Sequence, residues 1–246
     1  MAKKTSRSSR ARKAKPTIRT RLGAAVRRVI GWLLRGVAAV AVLLLVWMLA
    51  YRWIDPPTTP YIWSEERRLG AVSRDWRDLD AIAPSLARSV VAAEDANFCG
   101  HWGFDVNAIR SAIEAGANRG ASTISQQVVK NAFLWQGRSW VRKAAEAVIT
   151  PVMETLWPKR RIVEVYLNVA EMGEGVFGAQ AAARHWFGVD AADLTPAQAA
   201  RIAAILPNPK DRSAARPSAA MQRKARRVAD GAATIRADGR AACFED

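Results

Sequence analysis

An unbroken apolar run near the N-terminus constrains this chain more than any other feature. Residues 36–51 read GVAAVAVLLLVWMLAY and contain no charged side chain. A helix needs about 20 apolar residues to cross a bilayer. Residues 30–54 reach that length if Arg35 and Arg52 turn their charged ends toward the two interfaces. The sequence therefore predicts one transmembrane helix over residues 30–54.

Basic residues are concentrated in front of this predicted helix. The net charge is +16, and residues 1–35 hold twelve of the 38 Lys and Arg residues but no acid. The positive flank predicts a cytoplasmic N-terminus, with the chain after Asp55 outside the cytoplasm. A cleaved signal peptide is disfavoured because no A-x-A-like site ends the apolar run. A buried helix of a soluble protein is disfavoured by the preceding cations. Since the rest of the chain is close to neutral, we expect no nucleic-acid partner.

Composition divides the chain into five segments, and the predicted class is mainly α. Thr123 and Thr195 are each followed three residues later by Gln, a capping-box pattern that opens a helix. No convincing strand alternation is present. We predict a basic, disordered cytoplasmic tail (1–29), a transmembrane helix (30–54), a Pro-rich linker (55–60), a globular domain (61–217) and a C-terminal tail with a peripheral helix (218–246).

The two cysteines of the chain bear on the redox state of the compartment in which it folds. On the predicted topology Cys99 and Cys243 lie in an oxidising environment, where they can pair. Their wide separation leaves open the equal alternative of one buried thiol and one thiol in the tail. With His101 and His185 as the only histidines, no metal-ligand cluster is visible.

The first candidate site segment is EDANFCGHWGFD, residues 94–105. The pattern predicts a helix over residues 84–94 whose last turn is apolar on all sides, so Glu94 ends a buried helix. A carboxyl group in apolar surroundings holds its proton more firmly than in water, which suits a general base near neutral pH. In the structural alternative, Glu94 and Asp95 cap the helix or pair with Arg88, and His101 is a hydrogen-bonded core imidazole.

The second candidate segment is GASTISQQVVKN, residues 120–131. On a helix, Thr123, Gln127, Lys130 and Asn131 share one face. An uncharged hydrogen-bonding row that ends in one lysine is not typical of a solvated face, and it suits a sugar followed by a phosphate. The alternative is an ordinary amphipathic helix with an amide-rich surface.

The third candidate segment is RKAAE, residues 142–146. Arg142 and Glu146 lie at i and i+4 and share a helix face. They form either an exposed ion pair worth a few tenths of a kcal/mol or part of a site. In the site, Arg142 joins Lys130 around a diphosphate, for which a planar guanidinium is well suited. Glu146 is then a second active-site carboxylate.

In this order the segments resemble the family 51 glycosyltransferases. These peptidoglycan polymerases include monofunctional biosynthetic transglycosylases and the glycosyltransferase modules of class A penicillin-binding proteins. Two further segments carry the resemblance, KRRIVEVYLNVAEMGEGVFG (159–178) and PAQAARIAAILPNP (196–209). The resemblance implies a lysozyme-like helical lobe with a small membrane-proximal jaw, for which residues 133–135 and Trp140 are candidates. The chain departs from the family pattern at Cys99, where a polar or aromatic residue is expected.

The resemblance also implies a role for each matching residue. Glu94 matches the catalytic base and Glu146 a second acid, while Lys130 and Arg142 match residues that hold the diphosphate of the leaving group. The residues that match positions lining the donor cleft are Phe98, His101, Thr123, Gln127 and Asn131.

The activity implied by the resemblance is transfer of a growing lipid-diphosphate-linked glycan onto lipid-linked GlcNAc–MurNAc–peptide (lipid II). The reaction forms β-1,4 bonds with inversion and releases undecaprenyl diphosphate, at the bacterial inner membrane with the catalytic domain in the periplasm. Membrane lipids and cell-wall synthesis or division proteins are the candidate partners. No cofactor is certain; the family often responds to Mg²⁺ or Mn²⁺, although no dedicated ligand set is visible.

Two alternatives to this activity belong to different classes. A lysozyme-like lytic transglycosylase shares the fold and a catalytic Glu but needs no diphosphate clamp. A membrane scaffold using the basic tail leaves the five segments unexplained. Transpeptidase activity is excluded, because no S-x-x-K or K-T-G motif is present.

Overall fold

The computed structural model describes residues 18–245 apart from 115, 117–121 and 138. Most of the predicted tail, residues 1–17, therefore lies outside the described residues. The chain divides into two compact units, Met1–Trp47 and Met48–Asp246. Helices dominate the described part, which confirms the mainly α prediction.

The first helix, α1 (Ile18–Trp53), contains the apolar run. Residues Arg27–Trp53 have a mean hydropathy of 2.4 and the length of a membrane span. Large apolar side chains such as Leu33, Val37 and Leu43 are exposed rather than packed on protein, as expected of a helix whose solvent is lipid. Helical structure begins at Ile18, so it includes residues that the composition assigned to a disordered tail. A long apolar helix extends easily, because propagation costs far less than nucleation.

The second unit consists of short helices and one small sheet. Its helices are α2 (Pro60–Leu69), α3 (Pro84–Glu94), α4 (Val106–Glu114), α5 (Ile124–Phe133), α6 (Trp140–Leu156), α7 (Lys159–Val169), α8 (Ala179–Phe187), α9 (Pro196–Ile205), α10 (Ala219–Ala237) and α11 (Ala242–Glu245). Strands β1 (Ser73–Arg74), β2 (Glu171–Gly173) and β3 (Val176–Phe177) pair in the order β1-β3-β2. β1 runs parallel to β3 and β2 runs antiparallel to it. Strands of two or three residues are too short to show an alternating pattern, so the sequence did not predict them.

Local sequence signals set the helix starts. The predicted capping boxes at Thr123 and Thr195 are both present. In the first, Thr123 Oγ1 accepts from Gln126 N at 3.3 Å while Thr123 N donates to Gln126 Oε1 at 3.1 Å. α6 continues through Pro151, and Pro158 is the N-cap of α7. These signals place α5, which carries the polar stripe, at a defined point of the fold.

The core forms around α3, α5 and α7. Val90 of α3, Val128 of α5 and Ile162 of α7 are completely buried. α3 packs against both α9 and α10, so the end of α3, with Glu94, is held from two sides. Because each of these helices buries apolar side chains, the position of Glu94 is set by the core rather than by a surface loop.

The C-terminal region belongs to this body. The sequence assigned residues 218–246 to a peripheral tail, yet α10 packs against α3 and α9 and buries Ala225, Val228, Ala232 and Ile235. These four positions recur at helical spacing and form one apolar stripe. Cys99 and Cys243 are joined in a disulfide, which decides between the two alternatives that the sequence left open.

Candidate active site

Glu94 lies at the C-terminal end of α3 and faces α5. Gln127 Nε2 donates to Glu94 Oε2 at 2.9 Å, and Tyr166 Oη donates to Gln127 Oε1 at 3.3 Å. Tyr166 thereby fixes the amide orientation that presents a donor to the carboxylate. Arg88 lies against Glu245 instead, with 3.5 Å between Nε and Oε1. Arg88 thus pairs with Glu245 rather than with Glu94.

Asp95, the neighbour of Glu94, is held by hydrogen bonds to other parts of the protein. Its carboxylate accepts from the backbone N–H of Ile124 at 3.0 Å and contacts His101 Nε2 at 2.8 Å. Gly103 N donates to His101 Nδ1 at 3.2 Å, so Nε2 carries the proton that His101 donates to Asp95. His101 is thus the hydrogen-bonded core imidazole of the structural alternative. Asp95 ties it to the start of α5, where a negative charge is favourable.

We expect Asp95→Ala to lower stability more than a surface carboxylate substitution does. The change leaves the His101 N–H and the Ile124 N–H without acceptors, both in buried positions, at a cost of about 3 kcal/mol. The thermal unfolding midpoint of the full chain in detergent should fall by roughly 6–12 °C. Asp75→Ala is the matched control, because Asp75 forms an exposed pair with Arg77 and should change the midpoint little. Equal midpoints for the two variants would contradict this role of Asp95.

A group of cations surrounds Glu146 near the start of α6. Arg142 Nη1 lies 2.6 Å from Glu146 Oε2, and Lys143 bonds the other carboxylate oxygen. Only 3% of the Glu146 side chain and 13% of the Arg142 side chain are exposed, so the alternative of an exposed ion pair is wrong. Arg142 Nε also donates to Gly137 O at 3.0 Å. These contacts hold a guanidinium and a carboxylate in fixed positions.

Lys130 belongs to the same electrostatic neighbourhood. Burial lowers the pKa of Lys130, the negative charges of Glu146 and Glu94 oppose that shift, and Arg142 and Lys143 add to it. The charges of Glu94, Arg142 and Glu146 therefore all act on Lys130. A partly buried ammonium among other cations attracts an anion strongly, because little water screens it.

Several predicted cleft residues are buried and bonded within the protein. Thr123 Oγ1 donates to Gly103 O at 2.6 Å, and Gln136 Nε2 donates to Asn131 Oδ1 at 3.1 Å. Phe98 is only 1% exposed; its ring lies below Lys159 Nζ, 4.3 Å from the centroid. These arrangements position the cleft, and direct contact of Phe98, His101 or Thr123 with a substrate stays a prediction.

Two cavities are lined by some of the candidate residues, whereas Arg142 and Glu146 line neither. One, of about 450 Å³, is lined by Glu94, Asp105, Thr123 and Arg240 among others. The other, of about 270 Å³, is lined by residues of α5, α7 and the segment after α9, including Gln127, Lys130, Asn131, Tyr166 and Lys210. Gln127, which lines the second cavity, donates to Glu94, which lines the first, at 2.9 Å, so the two cavities lie on either side of this hydrogen bond.

Sequence reasoning missed three residues of this region. Burial raises the pKa of Tyr166, and the nearby charge of Glu94 raises it further. Lys224 of α10 donates to Ala204 O at 3.0 Å; burial lowers its pKa while Glu94 opposes the shift. Arg240 lines the Glu94 cavity. Lys224 and Arg240 fall in the segment interpreted as a peripheral tail, and only the apolar stripe of α10 signals that this segment packs on the body.

Among the described residues, no group of three or more His, Cys, Asp or Glu side chains could hold a metal ion.

The exposed aromatic residues of the proposed jaw are Trp135 and Trp140, which are 48% and 91% exposed, whereas Phe133 and Leu134 are buried. The jaw candidates thus divide into two core side chains and two that face outward.

The helical lobe, a carboxylate positioned by an amide and a neighbouring group of cations define a transglycosylase-type enzyme. Residues 64–233 match the family model described as Transglycosylase. A biosynthetic peptidoglycan transglycosylase of Jannaschia sp. is 64% identical over 239 residues, which cover 96% of this chain and 99% of the relative. The chain belongs to the transglycosylase family.

Two further relatives with the same name are less similar. The relative from Xanthomonas campestris pv. campestris is 51% identical over 209 residues, covering 80% of this chain and 85% of the relative. The relative from Rhodospirillum centenum is 49% identical over 224 residues, covering 87% and 96%. The family match ends at residue 233, so α10 lies mostly inside it and α11 outside it.

Proposed function

We propose that this chain is a peptidoglycan glycosyltransferase that polymerises lipid II into glycan chains. The observation that carries the proposal is the position of Glu94, which Gln127 holds beside a cavity in the same charged neighbourhood as Lys130, Arg142 and Glu146. The relatives, all named biosynthetic peptidoglycan transglycosylases, support the same reaction.

In the proposed reaction, Glu94 accepts the proton of a sugar hydroxyl on the incoming lipid-linked disaccharide. The hydroxyl oxygen attacks the anomeric carbon of the growing chain, and a new C–O bond forms as the bond to the lipid diphosphate breaks. The diphosphate leaves with the bonding electron pair, and the anomeric configuration inverts. Lys130 and Arg142 stabilise the negative charge that develops on the leaving group.

The contacts of Glu146 indicate a role different from that of Glu94, the proposed base. Arg142 and Lys143 both contact its carboxylate, so Glu146 orients these cations and limits their mutual repulsion. In our proposal it organises the diphosphate clamp, while Glu94 alone exchanges the proton with the acceptor.

The anchor and the disulfide support an extracytoplasmic location. α1 places a span-length apolar helix before the catalytic unit, and the cations before it favour a cytoplasmic N-terminus. The Cys99–Cys243 disulfide persists in compartments such as the periplasm and is rare in the cytosol. We propose a single-pass protein of the inner membrane, with Trp135 and Trp140 at the membrane interface.

The test is polymer formation by the full chain in detergent. Incubation with purified lipid II should give glycan polymer and free undecaprenyl diphosphate. Incubation with finished glycan strands should release no fragments, since a lytic enzyme would cleave them. Cleavage of strands without polymer formation would replace the proposal with the lytic alternative.

A further inference from the structure

The segment at residues 238–245, which we call the disulfide strap, contacts the loop that follows Glu94. The loop comprises residues 95–101. The strap lies beyond the family match, which ends at residue 233, and it is joined to the loop by the disulfide between Cys243 and Cys99. That disulfide uses the loop position at which the sequence departs from the family pattern.

Two further contacts attach the strap to the loop. Arg240 Nη1 donates to Ala96 O at 3.0 Å, two residues after Glu94. Phe244 is completely buried, and its ring centroid lies 6.3 Å from that of Phe98. The strap therefore holds the loop at residues 96, 98 and 99 by a hydrogen bond, an aromatic contact and a covalent bond.

The strap is itself anchored to the helical body. Arg160 Nη1 of α7 donates to Phe244 O at 3.2 Å, and Arg88 Nε of α3 lies 3.5 Å from Glu245 Oε1. Because α3 also carries Glu94, the strap joins the two ends of the catalytic segment, the helix before the carboxylate and the loop after it.

Arg240 brings the strap to the cavity of Glu94. Its guanidinium is oriented by Asp238, which accepts from Nε at 2.9 Å and lies 2.8 Å from Nη2. In that position Arg240 lines the same cavity as Glu94, Asp95, Asn97 and Thr123. Arg240 thus links the cavity lining to the backbone of Ala96, two residues after the carboxylate.

We propose that the disulfide strap is a positioning element of the active site, which keeps Glu94 in its catalytic geometry by holding residues 95–101. The proposal rests on the proposed role of Glu94 as the base. Displacement of a catalytic group by about 1 Å can lower the rate by as much as a hundredfold. Opening the disulfide should therefore lower kcat, while KM for lipid II changes little because the cations of α5 and α6 remain in place.

The experiment compares the full chain in detergent with its Cys99→Ala/Cys243→Ala double variant, each with and without dithiothreitol. We expect the reductant to lower kcat of the unmodified chain by about tenfold. The double variant should start at the lowered value and should not respond to the reductant. Near-ultraviolet circular dichroism, recorded at the assay temperature, shows whether each form is folded.

Arg240→Ala tests the strap without altering the disulfide. Arg240 is a partly exposed side chain, so its loss should not prevent folding. We expect kcat to fall about threefold to tenfold, because the hydrogen bond from Arg240 to Ala96 O is lost. The Arg240→Lys variant should recover part of the lost kcat. Arg223→Ala, which removes an exposed arginine of α10, is the matched control and should leave kcat unchanged.

The outcomes separate this proposal from the proposed function. If the unmodified chain polymerises lipid II and neither reduction, the double variant nor Arg240→Ala lowers kcat, the strap has no positioning role and the proposed function stands. If kcat falls only together with loss of the near-ultraviolet signal, the strap is structural and the positioning proposal is overturned. If the unmodified, folded chain forms no polymer, the proposed function itself fails.

Discussion

Glu94→Gln should abolish polymerisation of lipid II while the protein stays folded. Glutamine has almost the same shape as glutamate, and its side-chain carbonyl can still accept the hydrogen bond that Gln127 Nε2 now donates at 2.9 Å. An amide cannot, however, take a proton from the attacking hydroxyl. Loss of a general base lowers a rate on the order of a hundredfold to ten-thousandfold, so initial rates of polymer formation should fall by that factor.

The control for this substitution is Glu66→Gln, which removes a carboxylate from an exposed position of α2 and should leave the rate unchanged. Thermal unfolding of both variants shows whether the fold is intact. A rate near that of the unmodified chain in the folded Glu94→Gln variant would remove Glu94 from the role of base. The Tyr166–Gln127 pair would then have no catalytic group to orient.

Much of the fold follows from signals that are local in the sequence. Thr123 and Thr195 begin α5 and α9 because a capping box needs only four consecutive residues. The predicted helix over residues 84–94 has the observed bounds of α3. The apolar run likewise predicts a span from length and charge alone.

The remainder depends on contacts that sequence spacing does not determine. Cys99 and Cys243 are 144 residues apart, and no local pattern shows that the chain brings them together. The tail interpretation of residues 218–246 arose from charge, although Ala225, Val228 and Ala232 already lie at helical spacing. Alanine adds little hydrophobicity to such a stripe, so its burial is visible only when α3 and α9 are seen beside it.

In the candidate site, too, some features follow from local sequence signals and others from contacts between distant segments. The segments around Glu94, Lys130 and Arg142 were recognised in the sequence because each is short and ordered. The burial of Glu146 could not be read from its i, i+4 spacing with Arg142, since exposed and buried pairs share that spacing. Tyr166 and Lys224 approach Glu94 only through packing of α7 and α10. The roles assigned to Glu94, Lys130 and Arg142 stay predictions.

Lys130→Ala should weaken productive binding of the diphosphate-bearing donor far more than binding of glycan alone. The ammonium of Lys130 lies partly buried in the neighbourhood of Arg142, where a diphosphate would be neutralised with little screening. Removing one preorganised donor of this kind costs on the order of a hundredfold in rate, so kcat/KM for lipid II should fall by about that factor. Equilibrium binding of diphosphate-free glycan strands should change little, and equal weakening of both ligands would argue against a diphosphate clamp.

Lys130→Arg distinguishes the charge of Lys130 from its shape. Burial lowers the pKa of Lys130, so in the free enzyme the ammonium loses its charge at a lower pH than an ordinary lysine. KM for the donor should therefore rise as pH increases through that lowered value. Arginine stays protonated throughout this range, so the alkaline rise in KM should move to higher pH in the Lys130→Arg variant. The same alkaline limb in both proteins would assign it to another group and would leave Lys130 without an electrostatic role, because a clamp that works through charge must follow the protonation of the residue that supplies it.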